Sequence, residues 1–181
     1  MKIVVAGHFG AGKTTFIGTL SEIRPLSTEE VMTTASEGTD SLAGLPHKTT
    51  TTVAMDFGRR TLSEDLVLYM FGAPGQARFD FLEGLVQGAL GALVLADTRV
   101  LAESFPVIQR LEELGVPYAI AINVFDNHPE RRDYTVEQLR SAMDLEPGTP
   151  LVLCDARDRL SAKQALITLV TYLLTLPPEP S

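Results

Sequence analysis

The run Ile3-Val4-Val5-Ala6-Gly7-His8-Phe9-Gly10-Ala11-Gly12-Lys13-Thr14 constrains this chain more than any other stretch. An apolar strand runs into glycine, four residues follow, and Gly-Lys-Thr closes the pattern G-x-x-x-x-G-K-[ST]. Glycines let several backbone N–H groups converge on one phosphate chain, forming an anion nest. The helix that follows adds its own N-terminal N–H groups and the positive end of its dipole. Lys13 carries a full charge toward the β- and γ-phosphates, and the Thr14 hydroxyl is suited to ligating Mg²⁺. The expected phosphate-contacting set is therefore Gly7, Phe9, Gly10, Ala11, Gly12, Lys13, Thr14 and Thr15. Ile3-Val4-Val5 supplies the strand this motif requires, and Thr15-Phe16-Ile17 opens a helix.

At 181 residues the chain is expected to be one domain over 1–181, with room for a substantial core. Acidic residues outnumber basic ones 23 to 15, a net charge of −8. That balance argues against nucleic acid as a partner and against a charge-held anionic lipid surface. The one cysteine, Cys154, follows the apolar Leu151-Val152-Leu153 and reads as a core thiol. A signal peptide, a spanning run of about 20 apolar residues and the usual lipidation signals are not legible. The expectation is a cytoplasmic protein with no direct membrane anchor.

Strand-like runs at 2–6, 53–60, 66–71, 91–96, 118–123 and 151–154 alternate with helical stretches at 13–23, 100–114, 136–143 and 161–175. This order predicts an α/β fold: a six-stranded, mostly parallel sheet with helices, about five in all, on both faces. One strand must be antiparallel, because the polar turn around Leu62-Ser63-Glu64 is too short for a parallel crossover. Residues 25–51 are Ser/Thr-rich with little periodicity, and an insert of that length is normally functional.

Four further segments, KTTTTVAMDFGR, LYMFGAPGQARF, NVFD and CDARD, follow the phosphate loop in order. Together the five motifs resemble the Ras-like superfamily of small GTPases, over nearly the whole chain. Their wording is similar to a bacterial branch, the conservon-type regulatory GTPases related to the polarity GTPase MglA. The resemblance implies a P-loop NTPase fold and a GTP/GDP switch. Such a switch needs a residue that senses the γ-phosphate and releases when it leaves. By resemblance this is Thr52, with Thr50 and Thr51 as neighbouring alternatives, and it would join Thr14 on Mg²⁺.

Gly72-Ala73-Pro74-Gly75-Gln76 resembles the D-x-x-G-Q loop, in which the glycine N–H meets the γ-phosphate and the glutamine orients water. Gly75 and Gln76 match; Gly72 stands where the family has an aspartate that steadies the metal's water shell. Asp56 reads either as a solvated strand-edge residue or as a replacement carboxylate. Asn123-Val124-Phe125-Asp126 follows an apolar strand where the family has N-K-x-D, so Asp126 is the expected acceptor for the guanine N1–H and amine. A buried acceptor left unpaired would penalise adenine. Ala156 is expected to offer its N–H to the guanine O6, and Arg157 to lie near the base or at the surface.

The residues before Thr52 include His47 and Lys48 but no arginine, and Phe9 occupies a position where Ras has glycine. A supplied arginine accelerates such hydrolysis by ~10³–10⁵. Slow intrinsic turnover is therefore expected, with Gln76, Lys13 and Thr52 as the catalytic set. His8 is expected to face solvent, and Mg²⁺ accompanying the nucleotide is the one metal anticipated. A hydrolysis-deficient guanine-nucleotide scaffold is the alternative, and a small-molecule kinase is a third class that lacks a visible lid. The resemblance further implies regulatory partners of the roadblock type and a sensor kinase system.

Overall fold

β1 (Lys2–Ala6) alternates its side chains between two cores, Ile3 and Val5 into one and Val4 and Ala6 into the other. All four are fully buried, as a strand covered on both faces requires. The computed structural model describes residues 1–33, 50–74, 79–124 and 134–177, with backbone alone at 27–33, 50–54 and 79–80.

Helices α1 (Lys13–Leu20) and α5 (Arg159–Thr175) close one face through Phe16, Ile17, Leu20, Ala165, Leu166 and Leu169. Helices α2 (Phe79–Val86), α3 (Phe105–Glu113) and α4 (Val136–Ala142) close the other through Leu82, Leu85, Ile108, Leu111 and Leu139. Between them lie β2 (Leu26–Thr33), β3 (Thr50–Ser63), β4 (Leu66–Gly72), β5 (Ala92–Ala96), β6 (Tyr118–Asn123) and β7 (Leu151–Cys154). The sheet order is β2-β3-β4-β1-β5-β6-β7. β3 runs antiparallel to both its neighbours, and every other pairing is parallel.

The expected α/β class and its one reversed strand are present, and the sheet gains a seventh strand at its edge. β2 arises from residues expected to be aperiodic, pairing from Leu26↔Phe57 to Thr33↔Thr50. Leu-Ser-Thr-Glu-Glu-Val-Met-Thr carries no apolar/polar alternation. Its strand state comes from hydrogen-bonding to β3, which context rather than intrinsic preference decides.

The helix expected over 100–114 divides in two. Asp97 caps a 3₁₀ segment, Thr98–Ser104, by accepting from the Arg99 N–H, and Val100 is non-helical at φ −141°. Pro106 then sits in the first turn of α3, where its missing N–H has no helical partner to lose. Among the described residues, no helix is long and apolar enough to cross a membrane.

The C-terminal ends of β1, β4, β5, β6 and β7 emerge on one side of the sheet, the side on which open α/β sheets bind ligands. The motif-bearing loops after β1, β4, β6 and β7, as far as the structure describes them, begin there.

Candidate functional site

The loop between β1 and α1 is shaped by glycines that no other residue could replace without strain. Gly7 has φ +140°, and a Cβ on it would lie 2.4 Å from the Leu95 carbonyl oxygen. Gly12 has φ +98°, and a Cβ there would lie 2.4 Å from Asn123 Nδ2. Both the left-handed backbone and the close approach demand glycine.

Lys13 lies across this loop. Its Nζ donates to the carbonyls of Gly7 (2.9 Å) and His8 (2.7 Å), and only 8% of the residue is exposed. Burial lowers its pKa to about 8, with the nearby Asp56 carboxylate opposing that shift. The two carbonyl hydrogen bonds hold the ammonium over the nest. Thr14 and Thr15 are exposed, Ala11 is fully buried, and the Phe9 ring is 82% exposed. Phe9 thus projects outward from the loop instead of filling it.

His8 departs from the solvent-facing expectation: its Nδ1 lies 2.6 Å from the Phe9 carbonyl and its Nε2 is buried. Beyond the loop, Asp97 at the end of β5 is 1% exposed and grips Arg99 through both carboxylate oxygens. Burial pushes its pKa up, but the Arg99 hydrogen bonds and charge outweigh this and hold it below the usual carboxylate range. No motif of the sequence points to this pair. Its signal was an Asp-Thr-Arg directly after a wholly apolar strand, a helix-cap signature.

The second cluster joins three elements. Thr14 Oγ1, in the first turn of α1, donates to Asp56 Oδ2 on β3 at 2.5 Å. Asp56 is paired with Gly72 across the β3–β4 ladder. A Cβ at position 72 would lie 3.0 Å from both the Asp56 Cβ and the Ile17 Cδ1. The glycine that breaks the expected D-x-x-G pattern is thus also what makes room for Asp56.

Thr52 is not placed as expected. The expectation put it at the end of a loop, but β3 begins at Thr50, and Thr52 pairs with Val31 of β2. At ~3.3 Å per strand residue, its backbone lies about 13 Å along β3 from Asp56. The physical reason is β2, whose edge pairing extends β3 backward through the threonines. Gly75, Gln76 and Asp126 lie outside the described residues.

Asn123, at the end of β6 and 5% exposed, ties the phosphate loop to the loop after β7. Its Nδ2 donates to the Ala11 carbonyl (2.9 Å), and its Oδ1 accepts from the Ala156 N–H (3.0 Å). The N–H expected to meet a base oxygen therefore already has an acceptor, and a base would have to share or displace it. Arg157 forms a forked pair with Asp155 through Nε (2.9 Å) and Nη2 (2.8 Å), and that contact lowers the Asp155 pKa to about 2. Held this way, Arg157 belongs to the loop's own network.

Among the described residues, no three or more His, Cys, Asp or Glu side chains gather into a metal cage. Thr14 and Asp56 nonetheless suit Mg²⁺, which keeps several waters and takes phosphate oxygens alongside one or two protein ligands.

The fold is that of G-domain P-loop NTPases. A mutant of S. thermophilus NFeoB bound to GDP superposes with a TM-score of 0.66 at 19% identity, covering 98% of this chain and 65% of that one. The FeoB G-domain of Methanococcus jannaschii gives 0.63 at 14% identity, over 96% of this chain and 97% of that one. The cytosolic domain of the T. maritima FeoB iron transporter in a GDP form gives 0.66 at 17%, over 97% and 64%. This chain therefore spans about two thirds of the S. thermophilus and T. maritima chains. In sequence, an uncharacterized protein of Methanocaldococcus jannaschii is 33% identical over 129 residues, 70% of this chain and 71% of the other. A family model described as conserved hypothetical ATP-binding protein matches residues 5–176. With nearly its whole length accounted for by that match, the chain belongs to this ATP-binding-protein family of P-loop NTPases.

Proposed function

We propose that this chain is a guanine-nucleotide switch, a single G domain over 1–181 that binds Mg-GTP and hydrolyses it slowly. The observation that carries the reading is the Asn123 tie between the phosphate loop and the β7 loop. It puts the first residue of the N-x-x-D motif against the phosphate loop, with the motif's acceptor, Asp126, three residues onward. Lys13 and the glycine-framed loop would hold the phosphates, and the Thr14 hydroxyl would ligate Mg²⁺. Gln76 would orient the attacking water, with the Gly75 N–H on the γ-phosphate. For Thr52 to reach the metal, the end of β3 would have to peel from β2, which makes this edge the moving part of the switch. In this reading the output is partner binding, with roadblock-type regulators and a sensor kinase system as the partners and the cytoplasm as the setting.

The family's description favours a second reading, an adenine-nucleotide site on the same loop. Titrating GDP, GTP, ADP and ATP with Mg²⁺ against wild type and Asp126→Ala separates the two. We expect a guanine preference on the order of 10²-fold or more in wild type, lost in the variant, because an unpaired buried acceptor rejects the wrong base. Equal or tighter adenine binding by wild type would overturn the guanine assignment. Single-turnover hydrolysis then distinguishes a slow GTPase from a hydrolysis-deficient scaffold.

A further inference from the structure

Position 72 lacks a carboxylate in this chain, and position 56, its partner across the β3–β4 ladder, carries one. The sequence after β4 keeps the motif's glycine and glutamine, Gly75 and Gln76, but has Gly72 where the resemblance leads one to expect a metal-steadying carboxylate. The nearest carboxylate across the ladder is Asp56, opposite Gly72 in register. Its Oδ2 accepts from Thr14 Oγ1, the hydroxyl suited to Mg²⁺. A hydroxyl that donates its proton to a carboxylate keeps its lone pairs for other partners, a cation among them. The same hydrogen bond raises the electron density on Thr14 Oγ1, as outer partners of metal ligands generally do. Asp56 packs closely on position 72, where a Cβ would lie 3.0 Å from both the Asp56 Cβ and the Ile17 Cδ1.

We infer that Asp56 is the metal-side carboxylate of this nucleotide site, orienting Thr14 and the water shell of Mg²⁺ from β3 in place of a residue at position 72. This rests on the switch reading above and adds to it the residue that makes nucleotide affinity depend on Mg²⁺. It also moves that carboxylate onto the strand that carries Thr52, so metal and sensor share one element.

The test measures GDP and GTP affinity in EDTA and across a Mg²⁺ titration for wild type, Asp56→Asn and Asp56→Gly/Gly72→Asp, each first checked by thermal melting. Asp56→Asn is expected to raise the Mg²⁺ midpoint about 10–100-fold, the usual cost of losing an outer-shell partner, while Mg²⁺-free affinity stays within about threefold. The double variant is expected to recover most of that loss. If Asp56→Asn keeps the wild-type Mg²⁺ midpoint, the inference is wrong while the switch reading stands. Equal loss in EDTA and in Mg²⁺ would also overturn it, as that marks a folding role. If wild type itself binds no guanine nucleotide, the switch reading falls first.

Discussion

Replacing Lys13 by methionine is expected to abolish useful nucleotide binding while leaving the empty protein as stable as wild type or more so. The two effects have opposite sign for one reason. Lys13 is buried as a cation over an anion nest, and that burial lowers its pKa from 10.5 to about 8. Holding the charged form there costs about 3 kcal/mol at neutral pH. Its two hydrogen bonds to the Gly7 and His8 carbonyls offset part of that, at about 1 kcal/mol each. Methionine removes the cost and the bonds together, so the burial penalty and the lost hydrogen bonds offset each other. A phosphate chain reverses the balance by neutralising the buried charge, so loss of the ammonium should weaken nucleotide affinity by on the order of 10²–10⁴.

The pH dependence of stability follows from the same shift. The unfolded chain keeps the Lys13 proton up to about pH 10.5, whereas the folded chain releases it near pH 8. Between those values the unfolded state binds more protons, so this group's contribution to stability rises with pH. Urea melts at pH 7 and pH 10 should therefore show wild type gaining on Lys13→Met at the higher pH. A variant less stable than wild type by more than about 2 kcal/mol at pH 7 would contradict this account.

Asn123→Ala is expected to be the most damaging single substitution in the site for folding. The side chain is nearly fully buried and satisfies two buried backbone groups, the Ala11 carbonyl and the Ala156 N–H. Removing it leaves both without partners, at roughly 1–3 kcal/mol each. It also opens a void beside Gly12, whose tight turn packs on the Asn123 amide. A loss of about 2–6 kcal/mol corresponds to a fall in Tm of roughly 5–20 °C for a chain of this size. Nucleotide affinity should drop with it, because the amide ties the phosphate loop to the base side of the site. A Tm change under about 2 °C would show that the tie is not structural.

How much of this was legible beforehand varies by element. β6 and β7 match their expected bounds, 118–123 and 151–154, because short apolar runs between turn residues have one good solution inside a parallel sheet. The 100–114 stretch was read as one helix because its apolar spacing is helical throughout; Pro106 and the Asp97 cap divide it, a local signal that periodicity outvoted. Helix α2 had no expected bounds, although its Leu82, Leu85 and Val86 fill the core at helical spacing. β2 could not be read from its own residues, since an edge strand borrows its conformation from the partner that hydrogen-bonds it.

The phosphate loop, the α/β sheet and the order of the motifs around it follow from the residues alone. Those depend on residue types at fixed short spacing, where glycine conformation, a helix N-terminus and one lysine leave little freedom. Contacts between residues far apart in the chain emerge with the fold. Asp56 was an ambiguous carboxylate until β3 set it against Gly72 and Thr14, 42 positions away. Asn123 was one letter of a motif until its amide bridged Ala11 and Ala156. Thr52 moved from loop to strand because β2 was there to pair with it. Spacing along the chain constrains local conformation, whereas which side chains meet depends on sheet register and on the volume that a missing Cβ leaves open.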